Sequence, residues 1–509
     1  MLIITALLPV GAMIATSLNC NGHLCFDAFG EVLNTPHQWQ LMRNSLLISS
    51  LVAFLTVGAG VPLGVILGKT DLPLKKTFTA LFTAPLLIPP YIIAVSWFNL
   101  TESHSSLFGF YGVVWVLFCA FLPIPMLLTI LYLKTVDPVL EEAALLETGW
   151  SRTLIKITLP LIAPGIILSA MLTFIMSLGE SDVPGFLRVN VFPLESFTRF
   201  AAFYDFKAAT ASALPLGLAV LMLLFAEIFF TGKHNDSLTL LYKQHRQYTI
   251  RTGRYSRLIM AILLSALFFT TLMPLLMLII KSRNISFYVE ALNRAGGSLA
   301  RSIMFASAGA AALTFTGFLT GYLIHTKALR FWRAADLLTI SVFALPGTVT
   351  GIGLILLWNT PVTNIIYSTP LIIIIGYVAK YTAVTSRITV AGLAQIPSSF
   401  DDAARNCGAG WFRRMIYINI PLLSRTLAGG WIAGYIFSMR ETAITRIVYP
   451  AGSDTLPVRI FTLMANGSQE LIAALCIIMI LSVLLPAALL WFIPEFILKK
   501  RGLFKTWAP

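Results

Sequence analysis

VDPVLEEAALLETGWSRTLIKITLP at 136–160 and QIPSSFDDAARNCGAGWFRRMIYINIP at 395–421 decide how this chain folds, because each is a polar interruption of one design between long apolar runs. The first runs Asp137-Pro138, Glu141-Glu142-Ala143-Ala144, Gly149, then Ile157-Thr158-Leu159-Pro160; the second runs Ile396-Pro397, Asp401-Asp402-Ala403-Ala404, Gly408, then Ile418-Asn419-Ile420-Pro421. Each reads as a short helix with Pro in its first turn, acids near its positive end and Gly where it stops. The small alanines leave one side low enough to enter a groove of another protein. Trp150, Arg152, Trp411, Arg413 and Arg414 add side chains of types enriched at interfaces. Pro160 and Pro421 open the apolar runs that follow.

Outward from these stretches the chain repeats itself at a shift of about 260 residues. Arg43-Asn44-Ser45-Leu46 meets Arg301-Ser302-Ile303, Pro85 meets Pro346, Trp97 meets Trp358, Pro160 meets Pro421 and Glu180 meets Glu441, the last four at a shift of 261. Between the copies, residues 232–256 are polar and basic without apolar periodicity, as suits a connector.

The apolar runs fix the solvent. With 57% hydrophobic and 11% charged residues, a water-soluble chain would leave more apolar surface than its core could hide, so lipid surrounds much of this one. Spanning helices need roughly 20 apolar residues, and runs of that kind recur at 2–18, 44–68, 77–100, 111–133, 161–180, 208–231, 257–281, 301–324, 337–358, 370–391, 422–440 and 470–493. None alternates with the period of two that a membrane barrel requires. The expectation is an all-α polytopic membrane protein of about 12 spans, with a first half at 1–231, a linker at 232–256, a second half at 257–493 and a tail at 494–509. The polar loops carrying the quoted stretches run over about 134–160 and 392–421. Six spans per half make the repeat a parallel one, its halves related by an axis along the membrane normal. The first run has neither a basic leader nor an A-x-A site, so it reads as a retained helix.

Positive charge is sided. With the N-terminus inside, the inner loops hold 25 of the 36 Lys and Arg, which places both termini in the cytoplasm and makes inner-leaflet lipid, not nucleic acid, the counter-charge for a net +14. Cys20 and Cys25 share one outer loop, where they either form a small disulfide or stay as two thiols.

The paired loops resemble the EAA loop of binding-protein-dependent ABC importer permeases of type I, whose pattern is E-A-A, then Gly, then I-x-L-P. That resemblance implies two six-helix permease domains and an inner-membrane location in a bacterium. It also implies coupling helices that dock in clefts of two copies of an ATP-binding subunit, and an external or periplasmic binding protein that delivers the solute. By the same resemblance the docking role falls on Glu142, Ala143, Ala144 and Gly149 in the first half and on Asp402, Ala403, Ala404 and Gly408 in the second. In the first loop Gly149 comes one residue late and the Pro one early. The second loop has Asp in place of Glu and Ile420 in place of Leu, so the halves are expected to be unequal towards their ATPases.

Twelve spans in a fused chain, with outer stretches 179–209 and 440–468, are similar to the iron(III)/thiamine branch of that family. This implies iron(III) as substrate, with thiamine, polyamine, phosphonate or another small anion as alternatives. Glu180, Asp182, Arg440 and Glu441, at the outer ends of the fifth helix of each half, either touch substrate along a central path or pair to hold helix ends. No stretch fits G-x-x-x-x-G-K-[ST], and no metal-ligating or nucleophilic cluster stands out, so the chain is not read as an enzyme. It is expected to hold no metal or cofactor, ATP and Mg belonging to the partner. An ion-driven secondary transporter, the rival class, needs acids at helix centres and has no use for matched Ala-rich loops.

Overall fold

A computed structural model describes residues 8–20, 23–24, 30, 34–100, 108–203, 206–231, 248–328, 330 and 332–500. Helices dominate these residues, and the one sheet among them pairs Asn19–Cys20 with His23–Leu24. Cys25 lies outside the described residues, and so does most of the linker, 232–247. Cys119, Cys407 and Cys476 are free thiols.

Seven helices among the described residues are long and apolar enough to cross a membrane, and nine if two interrupted pairs each count as one span. The chain is therefore a multi-pass membrane protein. The other three expected spans correspond to Leu8–Leu18, whose run begins in residues outside the description, to Phe206–Thr231, and to Ser424–Met439, a helix of 16 residues.

The chain divides into two compact units, and their boundary does not follow the repeat. One unit holds Leu7–Arg283 together with Ala344–Leu357; the other holds Asn284–Phe343 and the chain from Trp358 onward. Leu263 and Leu267, at the start of the second repeat, are buried among Leu63, Leu67, Phe78 and Phe82 of the first. Later in the same repeat, Gly353 lets its helix meet the backbone of Pro9, since a Cβ there would stand 2.8 Å from the Pro9 oxygen.

Four helices frame the site of the first unit: α1 (Pro36–Lys69), α2 (Pro123–Leu133), α3 (Pro138–Glu147) and α4 (Leu159–Leu178). In the second unit the corresponding helices are α5 (Ile285–Thr326), α6 (Leu371–Leu393), α7 (Ser398–Asn406) and α8 (Ser424–Met439). Lipid offers no hydrophobic drive for pairing apolar helices, so small residues that admit close backbones bring them together. A Cβ at Gly64 would lie 2.6 Å from Thr129 of α2, and one at Gly321 would lie 2.7 Å from the Ser386 carbonyl of α6. Gly60 and Gly64 match Gly317 and Gly321 at a shift of 257, not 261.

The same shift corrects two pairings made from the sequence. Pro85 lies inside the helix Lys75–Leu87, which breaks at Ile88-Pro89 before Pro90–Leu100 with a bend of 94°. The partner of Pro346, which separates Trp332–Ala344 from Gly347–Trp358, is therefore Pro89, 257 residues earlier. The shift is 260 at the acid pairs and 261 from the Trp onward, the second polar loop being one residue longer than the first between them. The pairing of Trp97 with Trp358 at 261, ahead of the loops, therefore also falls out of register.

Three π-helical turns, Leu154–Thr158, Phe268–Leu272 and Met415–Asn419, each end two residues before a proline: Pro160, Pro274 and Pro421. A proline inside a helix has no N–H for the fourth carbonyl back, and its ring crowds that carbonyl. Widening the preceding turn to i→i+5 bonds relieves the clash, as in Leu159 N–H to Leu154 C=O.

Candidate functional site

In the first polar loop, Asp137 caps α3 by accepting the Val139 N–H at 3.0 Å, and Pro138 occupies the first helical position, where no intrahelical N–H is missed. One turn on, Glu141 points inward and is fully buried. Its carboxylate accepts from the Lys69 ammonium, itself 1% exposed at the end of α1, and from the Thr158 hydroxyl at 2.7 Å in the π turn. A buried charge is tolerated only when paired and hydrogen-bonded, and here both oxygens have a donor. The short helix is thereby fastened to α1 and to the π turn that leads into α4.

With Glu141 turned in, Val139, Glu142, Ala143 and Leu146 form an i, i+3, i+4, i+7 stripe facing out. Leu146 is 89% exposed and Val139 64%. Apolar side chains so placed on a polar loop form an exposed patch of the kind found at interaction surfaces. Ala144 lies half-buried beside the stripe, and its carbonyl accepts the Thr148 N–H at 2.8 Å as the helix ends.

The second loop uses the same frame with different fastenings. Asp401, the counterpart of Glu141, accepts from Arg414 at 2.5 Å and from Arg405 at 3.0 Å, both within the loop and its continuation, and its side chain is 28% exposed. The tie to a membrane helix is aromatic: the Trp411 indole N–H donates to the Tyr322 hydroxyl of α5 at 3.2 Å. Below it, Phe318, Leu393, Met415 and Leu423 form a buried cluster. The outward stripe is Ser399, Asp402, Ala403 and Asn406, polar where the first is aliphatic, with Phe400 and Phe412 exposed beside it.

Gly149 and Gly408 do different jobs, which accounts for the one-residue mismatch between the loops. Gly408 has φ +77° and stops α7 in the left-handed conformation, with Ala409 N–H returning to the Ala404 carbonyl. Gly149 has φ −76° and caps the turn Trp150–Thr153; its counterpart is Gly410, φ −64°, before Trp411. Helix α3 ends instead at Thr148 in an extended conformation.

The family profile described as the inner membrane component of binding-protein-dependent transport systems matches residues 60–231 and again 253–496. The chain belongs to that family. The chain is 24% identical over 508 residues to the ferric transport system permease protein FbpB of Actinobacillus pleuropneumoniae, covering 91% of this chain and 72% of the relative. It is 22% identical to the Fe(3+)-transport system permease protein FbpB 2 of Haemophilus influenzae over 85% of each chain. The molybdenum transport system permease protein ModB of Escherichia coli is 30% identical over 215 residues, 38% of this chain and 93% of ModB.

In this permease the four charges expected along the substrate path fall in different units, Glu180 and Asp182 in one and Arg440 and Glu441 in the other. Glu180 accepts the Asp182 N–H at 3.0 Å, and Asp182 is buried with the Ser181 hydroxyl beside it at 3.3 Å. Glu441 is also buried; it accepts from the Lys380 ammonium at 3.1 Å, from the Tyr381 hydroxyl and from the Ile444 N–H at 2.9 Å. Arg440 lies over the Phe437 ring at 5.8 Å. Lys380 and Tyr381 are absent from the residues expected on sequence grounds; a Lys in the middle of an apolar run is the signal that points to them.

Proposed function

We propose that this permease carries ferric iron across the bacterial inner membrane, taking it from an external binding protein and driven by two ATPase subunits docked on α3 and α7. The observation that carries the coupling reading is the matched pair of outward stripes, Glu142-Ala143 and Asp402-Ala403, each held by an inward acid one residue earlier. Ferric iron as cargo is supported by the ferric relatives, which extend over most of the chain, whereas the molybdenum relative matches about half as much. The inner-loop excess of Lys and Arg supports both termini in the cytoplasm, where α3 and α7 would meet ATPases.

The halves would move between inward-open and outward-open arrangements as the ATPases close on ATP and press on the two helices. Glu142 and Asp402 serve as exposed acids toward the ATPase cleft, with Ala143, Ala144, Ala403 and Ala404 giving close approach. We assign Glu441 to holding its helix end through Lys380, and Glu180, Asp182 and Arg440 to the substrate path. The test is purification from native membrane followed by reconstitution with the binding protein. An ATPase should co-purify, and iron uptake should require ATP. Glu142→Ala and Asp402→Ala should impair uptake while the chain stays inserted. Uptake driven by an ion gradient and indifferent to ATP would overturn the reading.

A further inference from the structure

The described end of the linker between the repeats is hydrogen-bonded to the end of α1 and packs on the first polar loop. Ile250 N–H donates to the Lys69 carbonyl at 2.7 Å and its carbonyl accepts the Asp71 N–H at 3.1 Å, making a parallel bridge opposite Thr70. Two residues on, the Thr252 N–H and hydroxyl both donate to one oxygen of Asp71, at 2.9 and 2.8 Å. Two residues before Ile250, the Tyr248 ring packs on Trp150 with centroids 5.1 Å apart. A linker that only connected two domains would need none of these bonds. The backbone of Lys69 thus holds the linker while its side chain holds Glu141 of α3.

We infer that Tyr248–Thr252 is a strap that positions the first coupling loop and ties it to the membrane span Gly253–Lys281, which begins at the next residue. The inference rests on the coupling role proposed for α3. The strap grips the loop at Trp150 and the end of α1 at Thr70 and Asp71. The span it leads into buries Leu263 and Leu267 against Leu63 and Leu67 of that same helix α1. A displacement of α3 is therefore passed to two membrane helices, one through Lys69 and one through the strap. Tyr248, Asp71 and Thr252 are positioning residues in this arrangement. Among the described residues no such bridge reaches the second loop, whose Trp411 faces Tyr322 instead. The Thr252 donors, with a smaller pull from Arg251, hold the Asp71 carboxyl below the usual carboxylate range, so it is ionised at neutral pH.

The full complex, reconstituted with its ATPase and binding protein, provides the test with Asp71→Ala, Tyr248→Ala and Tyr248→Phe. Trypsin cleavage after Arg251, mapped by mass spectrometry, should quicken about tenfold in Asp71→Ala as two hydrogen bonds to a carboxylate are lost. Iron moved per ATP hydrolysed should fall roughly fivefold in Asp71→Ala and Tyr248→Ala, and Tyr248→Phe, which keeps the ring contact, should restore it. Faster cleavage with an unchanged iron-to-ATP ratio would reduce the segment to a tether and overturn the inference, and so would unchanged cleavage. If the wild-type chain binds no ATPase, the coupling reading fails instead; cleavage after Arg251 then judges the strap contact alone.

Discussion

The two polar loops occupy the same place in the repeat and present the same acid-Ala-Ala pattern, yet they are held by different physics. The first is fastened by a dry ion pair reaching from α3 to α1, with Thr158 completing the carboxylate. The second keeps its acid among its own arginines, partly in solvent, and reaches α5 through an aromatic pair. A fully buried pair is intolerant of losing one member, whereas the second loop divides its acid between the buried Arg414 and the exposed Arg405, and the exposed pair is worth little. Fusion of the halves lets one loop become the rigid one, since the two no longer share a sequence.

The largest effect should come from unpairing the first fastening. Glu141→Ala or Lys69→Met leaves an uncompensated buried charge, at a cost of about 3–5 kcal/mol, and should lower the melting temperature of the detergent-purified chain and its uptake together. The double variant Lys69→Met/Glu141→Leu should recover most of that stability, because no charge remains buried. If the double variant is as unstable as both singles added, the pair is not the fastening described.

Next in size is the difference between the outward stripes. Leu146→Ala should weaken ATPase binding by about 1.5–3 kcal/mol, the range for burying a Leu side chain. Asn406→Ala, at the matching position of α7, should change it by about 0.5 kcal/mol or less. Equal losses measured by titrating the ATPase onto nanodisc-held permease would erase the distinction. Asp401→Ala should then cost about 1–3 kcal/mol of stability, less than Glu141→Ala, since it strands the buried Arg414 while its other partner, Arg405, stays in solvent. A loss matching that of Glu141→Ala would break the comparison outright.

How much of this is legible in the chain depends on the range of each interaction. Helix positions, the repeat and the two loops follow from apolar length and from Pro, Ala and acid placement, all local signals. The doubled acids, Glu141-Glu142 and Asp401-Asp402, give notice of two roles, but nothing local says that the first acid turns inward. That depends on Lys69, 72 residues away, which tertiary packing alone brings to it. Pro85 and Pro89 are both compatible with a break, and only the bend chooses between them. The linker reads as a plain connector because its bonds at 248–252 are to backbone and to Asp71, with no pattern of its own.

The smallest effect separates the glycines that the sequence pattern sets side by side. Gly408 sits at φ +77°, where a Cβ strains the backbone whatever the surrounding space, so Gly408→Ala should cost about 1 kcal/mol and fray the end of α7. Gly149 has ordinary dihedrals and no atom within 4 Å of where a Cβ would stand, so Gly149→Ala should shift stability by a few tenths of a kcal/mol at about the limit of measurement. Hydrogen exchange of the Ala409 amide, which closes the end of α7 on Ala404, reads the first change directly. Equal tolerance at both positions would mean that α7 ends in solution as α3 does, in an extended turn, and that the loops differ only in their fastenings.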